Sequence, residues 1–108
     1  MTLVYDLEQR DRTVVLRLTG LIDRDALAAL DDGYAAAAAA EAAVVELDFT
    51  GVEYINSTGI ALIVGLLGKA RSHGRTIRAA GLTDHYQHIF EITRLSDFIE
   101  IVQPAQPS

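Results

Sequence analysis

The sequence predicts a small α/β domain built on a mixed β-sheet covered by helices. Three observations carry that prediction. Two segments of β character come first, Leu3 to Leu7 and Thr13 to Leu18, separated only by the polar turn Gln9 to Arg12. Apolar segments of strand length then alternate with segments of helical period. The later connections are long enough to be helical crossovers, which makes the later strands parallel.

Each element has its own local reason. Leu3 to Leu7 alternates weakly, as an edge strand does, and Thr13-Val14-Val15-Leu16-Arg17-Leu18 is β-branched and apolar. The two should form a hairpin, and Thr19-Gly20 should break the ladder. Asp23 suits the N-cap of a helix from about Arg24 to Ala39, with Ala26, Leu27, Leu30 and Tyr34 at helical spacing. The alanine run from Ala35 to Ala40 continues it, since alanine is the best helix former. Ala43 to Phe49 is nearly continuous apolar, which fits a central strand covered on both faces. A second helix follows to about His73, with Ile60, Ile63, Val64 and Leu67 as its core stripe, Ala70 beside it and Gly74 just past its end. Thr76 to Ala80 reads as a strand, Asp84 to Ile92 as a helix anchored by Ile89 and Phe90, and Phe98 to Val102 as the last strand. Residues 1–102 thus form one domain. Residues 103–108, with Pro104 and Pro107, are expected to be a loose tail.

Composition narrows the function. Half of the 108 residues are hydrophobic, which supports a packed core. The absence of cysteine removes disulfides, thiol nucleophiles and sulfur metal ligands. A net charge of −6 lacks the basic footprint of a nucleic-acid binder. The one basic concentration, Lys69, Arg71, His73, Arg75 and Arg78, fits either the C-terminal end of a helix or a phosphate or partner contact. Met1-Thr2-Leu3-Val4 shows no signal peptide pattern, and the apolar run Gly59 to Gly68 is too short to span a membrane.

The stretch Tyr54-Ile55-Asn56-Ser57-Thr58-Gly59-Ile60 is the organising feature. It places small polar residues where a strand hands over to a helix N-terminus, a position that favours negative charge. Ser57 is either the helix cap, a role open to Asn56 or Thr58 with a one-residue shift, or a modified hydroxyl. Leu62 and Leu66 fall beside the stripe of the second helix. Either other side chains cover them, or they extend a partner-binding surface next to Ser57. His85 and His88 share a helix face without a glutamate in zinc-enzyme spacing, so no metal is expected. No Gly-x-Ser-x-Gly elbow, Gly-rich phosphate loop or set carboxylate pair is present, which argues against an enzyme and a cofactor.

Leu18-Thr19-Gly20-Leu21-Ile22-Asp23, Val45-Glu46-Leu47-Asp48-Phe49 and Tyr54 to Ile60 together carry a pattern that resembles a STAS-domain protein of the anti-sigma factor antagonist type. The resemblance covers roughly Leu3 to Val102. It implies a STAS-like fold and a cytoplasmic protein that binds an anti-sigma factor with serine kinase activity, releasing the sigma factor. It also implies that the kinase phosphorylates Ser57, with Thr58 the second candidate, and that a phosphatase restores the active form. The ATP chemistry belongs to the kinase. Asp23, Asn56, Ser57, Thr58 and Gly59, with Leu62 and Leu66, would form the partner surface. Two features depart from the family pattern. Asn56 stands where the family usually has aspartate, which removes a carboxylate. Only Gln103 to Ser108 follows the last strand, where many antagonists have a terminal helix. A less covered sheet face or edge is expected there, and a homodimer is one way to cover it. The rival reading keeps the fold: a docking or scaffold subunit of a signalling or lipid-transport complex, without phosphorylation.

Overall fold

The structure, a computed structural model, describes residues 2–102. The expected tail lies outside them. Five strands, β1 (Val4–Arg10), β2 (Thr13–Ile22), β3 (Val44–Ile55), β4 (Thr76–Ala80) and β5 (Glu100–Val102), lie side by side in that order. β1 runs antiparallel to β2, and the other neighbours are parallel. Three helices connect the parallel strands: α1 (Leu27–Ala39), α2 (Ser57–Ser72) and α3 (Asp84–Ile92). Short 3-10 turns precede α1 at Arg24–Ala26 and β5 at Leu95–Asp97. The predicted order of elements and the mixed sheet are therefore present.

The winding has one consequence the sequence reading missed. Every crossover advances to the next strand in the same direction. Crossovers of one hand then leave all the helices on one face. Val45, Leu47 and Phe49 point into that face and join the core with Leu30, Tyr34, Ile63, Leu67 and Phe90. The expectation that β3 is covered on both faces does not hold, because Glu46 and Asp48 alternate with its core residues and remain half-buried. A row across all five strands, Glu8, Val15, Glu46, Arg78 and Glu100, marks the other face. Ion pairs Arg17–Glu8 at 2.6 Å and Arg78–Glu100 at 3.2 Å lie on it. Hydrogen bonds from Arg10 and Arg17 hold the Glu8 carboxyl below its ordinary pKa.

Three strand boundaries also differ from expectation. β2 continues through Thr19-Gly20, because Gly20 adopts φ 116° and keeps the chain paired. β3 runs on from Phe49 to Ile55 and holds its partner through two register shifts, at each of which it carries one extra residue. β5 starts at Glu100 rather than Phe98, whose side chain is 60 % exposed.

The core face of α2 is rotated from the predicted stripe. Ile63, Leu66, Leu67 and Ala70 are buried, while Val64 is 48 % exposed. The cause is α1, which packs on the Leu66 side. Lys69 reaches Asp31 of α1 at 3.3 Å, and His73 Nδ1 lies 3.0 Å from the Tyr34 hydroxyl. Arg75 donates to the Ala42 carbonyl at 3.0 Å and to the Tyr34 hydroxyl at 3.4 Å. Lys69, His73 and Arg75 thus tie the C-terminal end of α2 to the middle of α1 and to the chain just after it.

At its other end α2 rests on β2. A Cβ on Gly59 would lie 1.9 Å from the Ile22 carbonyl oxygen and 2.7 Å from its carbon. No side chain fits there, so glycine sets how closely the helix meets the strand. Leu66→Ala should cost about 2–5 kcal/mol in chemical denaturation, by loss of burial and cavity formation. Val64→Ala should cost less than about 1 kcal/mol. Equal losses would place α2 in another rotation. Gly59→Ala should cost about 3 kcal/mol, because the obstacle is backbone that a rotamer change cannot move.

Candidate functional site

The site lies at the carboxyl ends of β2 and β3, where open parallel sheets generally place ligands and partners. Ile22 pairs with Ile55, and the Asn56 amide donates to the Ile22 carbonyl at 3.2 Å. Asp23 and Asn56 therefore leave neighbouring strands side by side. Each turns its strand into a helical element by the same device. The Asp23 carboxylate accepts from the Asp25 amide at 2.9 Å and caps the first 3-10 turn. The Asn56 side-chain oxygen Oδ1 accepts from the Gly59 backbone amide at 2.8 Å and caps α2.

That second bond decides between the open cap readings. Asn56 has the extended backbone of an N-cap, with φ −94° and ψ −179°, and its own carbonyl accepts from Ile60 at 2.9 Å. Ser57 is consequently the first helical residue, not the cap. Ser57 and Thr58 are both exposed. No hydrogen bond of the Ser57 hydroxyl is present among the described residues. The fold uses the amide at 56 and leaves the hydroxyl at 57 to solvent, at a helix end where an anion is favoured.

The remaining predicted residues divide. Gly59 is buried beneath the corner and serves its geometry. Leu66 is only 3 % exposed, so the expected apolar surface does not include it. Leu62 is half-buried and packs against the core. The apolar surface near the corner comes instead from Tyr54, 56 % exposed on β3, and Leu27, 49 % exposed at the start of α1. Tyr54 had a signal in the sequence: it precedes the buried Ile55 and so points to the opposite face. Tyr86 had none. Its hydroxyl accepts from the Ile55 amide at 2.9 Å, so α3 braces the residue before the cap. Among the described residues no group of three or more His, Asp or Glu side chains is arranged to hold a metal. No helix there is long and apolar enough to cross a membrane.

Comparison with known proteins agrees with this architecture. The anti-sigma-B factor antagonist of Listeria monocytogenes is 41 % identical over 61 residues, 56 % of this chain and 54 % of that protein. The chain thus spans about half the length of that relative. The anti-sigma-B factor antagonist of Bacillus subtilis is 25 % identical over 101 residues, 94 % of this chain and 92 % of that protein. Among solved structures, the anti-sigma factor antagonist SpoIIAA in its unphosphorylated form has the same fold, with a TM-score of 0.72 at 17 % identity over 94 % of this chain and 90 % of that one. Bacillus SpoIIAA in the phosphorylated form gives a TM-score of 0.68 at 19 % identity, covering 92 % and 91 %. A family model described as "Mlab, STAS domain" matches residues 5–103. By that match, and with the sheet order and strand–helix corner described above, the chain belongs to the STAS domain family.

Proposed function

We propose that this protein is an anti-sigma factor antagonist working by partner switching. It docks an anti-sigma factor with serine kinase activity at the Ser57 corner, and phosphorylation of Ser57 ends the docking. A phosphatase then restores the free hydroxyl. Thr58 is the second acceptor candidate. The observation that carries this reading is the division of work between Asn56 and Ser57. Asn56 makes the cap, so the Ser57 hydroxyl can be modified without removing a contact that holds α2 in place.

The physics of the switch follows from charge. A phosphoserine carries about −1.5 to −2 charges and three strong acceptors. At the first turn of α2 the helix dipole offsets part of that charge, so the folded chain accepts it. A partner seated on Tyr54 and the exposed hydroxyls would have to desolvate the same charge without a matching cation. The modified complex is disfavoured while the modified protein stays folded. The names of the relatives, antagonists of anti-sigma factors, support the same assignment.

A second reading has one observation in its favour. Asn56 offers a neutral amide, so it can neither accept a proton nor present charge to an incoming kinase. A docking or scaffold subunit of a signalling or lipid-transport complex would need neither. The two readings separate in one experiment with the natural partner and ATP. Under the switch, mass spectrometry finds phosphate on Ser57, and Ser57→Ala still binds the partner. Ser57→Asp should bind at least about thirtyfold more weakly, the lower end for an unpaired charge in an interface. Phosphate only elsewhere, or equal partner affinity of Ser57→Asp and the unaltered protein, would leave the scaffold reading.

A further inference from the structure

β3 outruns one of its two neighbours. Its pairing with β4 ends at Asp48 opposite Ala80, whereas its pairing with β2 continues to Ile55. Over that overhang the ladder to β2 is interrupted by the two bulges, and among the described residues no strand lies on the other edge. The Asn56 amide points to β2, where it donates to the Ile22 carbonyl. The Ile55 amide therefore points to the opposite edge, past the end of β4. α3 stands over this stretch. The Phe90 ring meets the Phe49 ring edge-on, with centroids 6.0 Å apart, and the Tyr86 hydroxyl accepts from the Ile55 amide at 2.9 Å.

We propose that Tyr86 is a positioning residue for Ser57: its hydroxyl pins the end of β3 and so fixes where the switch hydroxyl is presented. The inference rests on the reading of Ser57 as the switch serine. The path between the two residues is short. Tyr86 holds the Ile55 amide, the next amide is tied to Ile22, and the Asn56 side chain then holds Gly59 across Ser57. The hydroxyl at the start of this path is itself firmly placed. Tyr86 lies in the first turn of α3, where the Thr83 hydroxyl accepts from its amide at 3.3 Å, and its half-buried ring packs against the core. A tyrosine has only two side-chain torsions, so a packed ring fixes its hydroxyl as well.

Ring and hydroxyl have separate roles. Phenylalanine would keep the packing but offer no acceptor, and Ile55 is only 5 % exposed. Its amide, left unpaired, is relieved only if the strand end opens to water, and that opening carries Asn56 and Ser57 with it. Phosphorylation is sensitive to such a shift. The Ser57 Oγ bonds to the γ-phosphorus of ATP, ADP leaves and the hydroxyl proton is released, and the rate depends on how well Oγ is held for attack. A loosened corner therefore lowers kcat within the docked complex. Loss of folding acts differently: it reduces the folded substrate present, which raises the apparent KM and leaves kcat unchanged.

Amide hydrogen exchange by NMR on the full chain, with Tyr86→Phe beside the unaltered protein, tests the positioning directly. The amides of Ile55, Asn56 and Gly59 should exchange about tenfold faster in the variant than the change seen at Val14, Leu47 and Ile77 in the central strands. With the natural kinase and ATP, the same variant should lower kcat for Ser57 about fivefold or more, with KM within about twofold. His88→Ala, at an exposed position on the same helix, should change neither quantity. If Tyr86→Phe does not fold, Thr83→Ala loosens the turn that holds Tyr86 and supplies the same comparison of corner against core. Unchanged exchange at the corner, a uniform rise through the core, or a raised KM at constant kcat would overturn the assignment. If the unaltered protein takes no phosphate at Ser57, the switch reading fails, and the exchange rates still decide whether Tyr86 positions the corner.

Discussion

The fold hangs on one close approach. The α2 backbone at Gly59 meets the Ile22 carbonyl so tightly that even a methyl group is excluded. That contact joins the end of β2 to the first turn of α2. Together with the amide of Asn56 donating to the same carbonyl, it locks the pairing of Ile22 with Ile55. Everything presented at the corner inherits its position from this joint. The Asn56 cap can reach Gly59 only because the strand ends there in an extended conformation. Ser57 faces solvent because the cap has already been made one residue earlier.

A second constraint is the one-way winding of the sheet. With every crossover advancing in the same direction, the helices share one face and must divide it. α1 takes the flank of α2 that holds Leu66, Lys69 and His73, and so turns Leu66 inward. The opposite flank, with Val64, Gly68 and Arg71, lines a groove shared with the 3-10 turn before β5. The same winding leaves the second sheet face to Glu8, Arg17, Glu46, Arg78 and Glu100. Val15 and Ala80 stay buried there, outside the main core. Alternating charge across neighbouring strands keeps such a face solvated and poorly suited to aggregation.

The corner separates polar groups that hold its structure from polar groups left to solvent. The groups that hold backbone amides are Asn56, Asp23 and the Tyr86 hydroxyl, and each is at least partly withdrawn from solvent. The hydroxyls of Ser57 and Thr58 are exposed. A charge added to an exposed group at a helix N-terminus changes what the surface tolerates without disturbing the bonds beneath. Asparagine at the cap does this structural work as well as aspartate would, since both present an acceptor oxygen to the same amide. The departure at position 56 therefore leaves the local architecture intact and changes only the charge beside the serine.

The identity, order and approximate limits of the elements were legible in the chain because they rest on local patterns. The short strand Thr76 to Ala80, the helical run from Asp84 to Ile92 with its anchors Ile89 and Phe90, and the change of pattern near Asn56 each lie within one short segment. The short motif at the corner likewise marked the handover from strand to helix at Asn56 and Ser57. The tertiary structure decided what depends on distant segments meeting. The rotation of α2 needed the position of α1, so Val64 left the expected core stripe and Leu66 proved to be the covered alternative. The bulges that carry β3 through to Ile55 needed its pairing with β2. The brace from Tyr86 needed α3 to fold back over the strand end. Hydrophobic period tells a helix that it has a buried face; which neighbours crowd it, and so which residues that face contains, is set by packing that no single segment encodes.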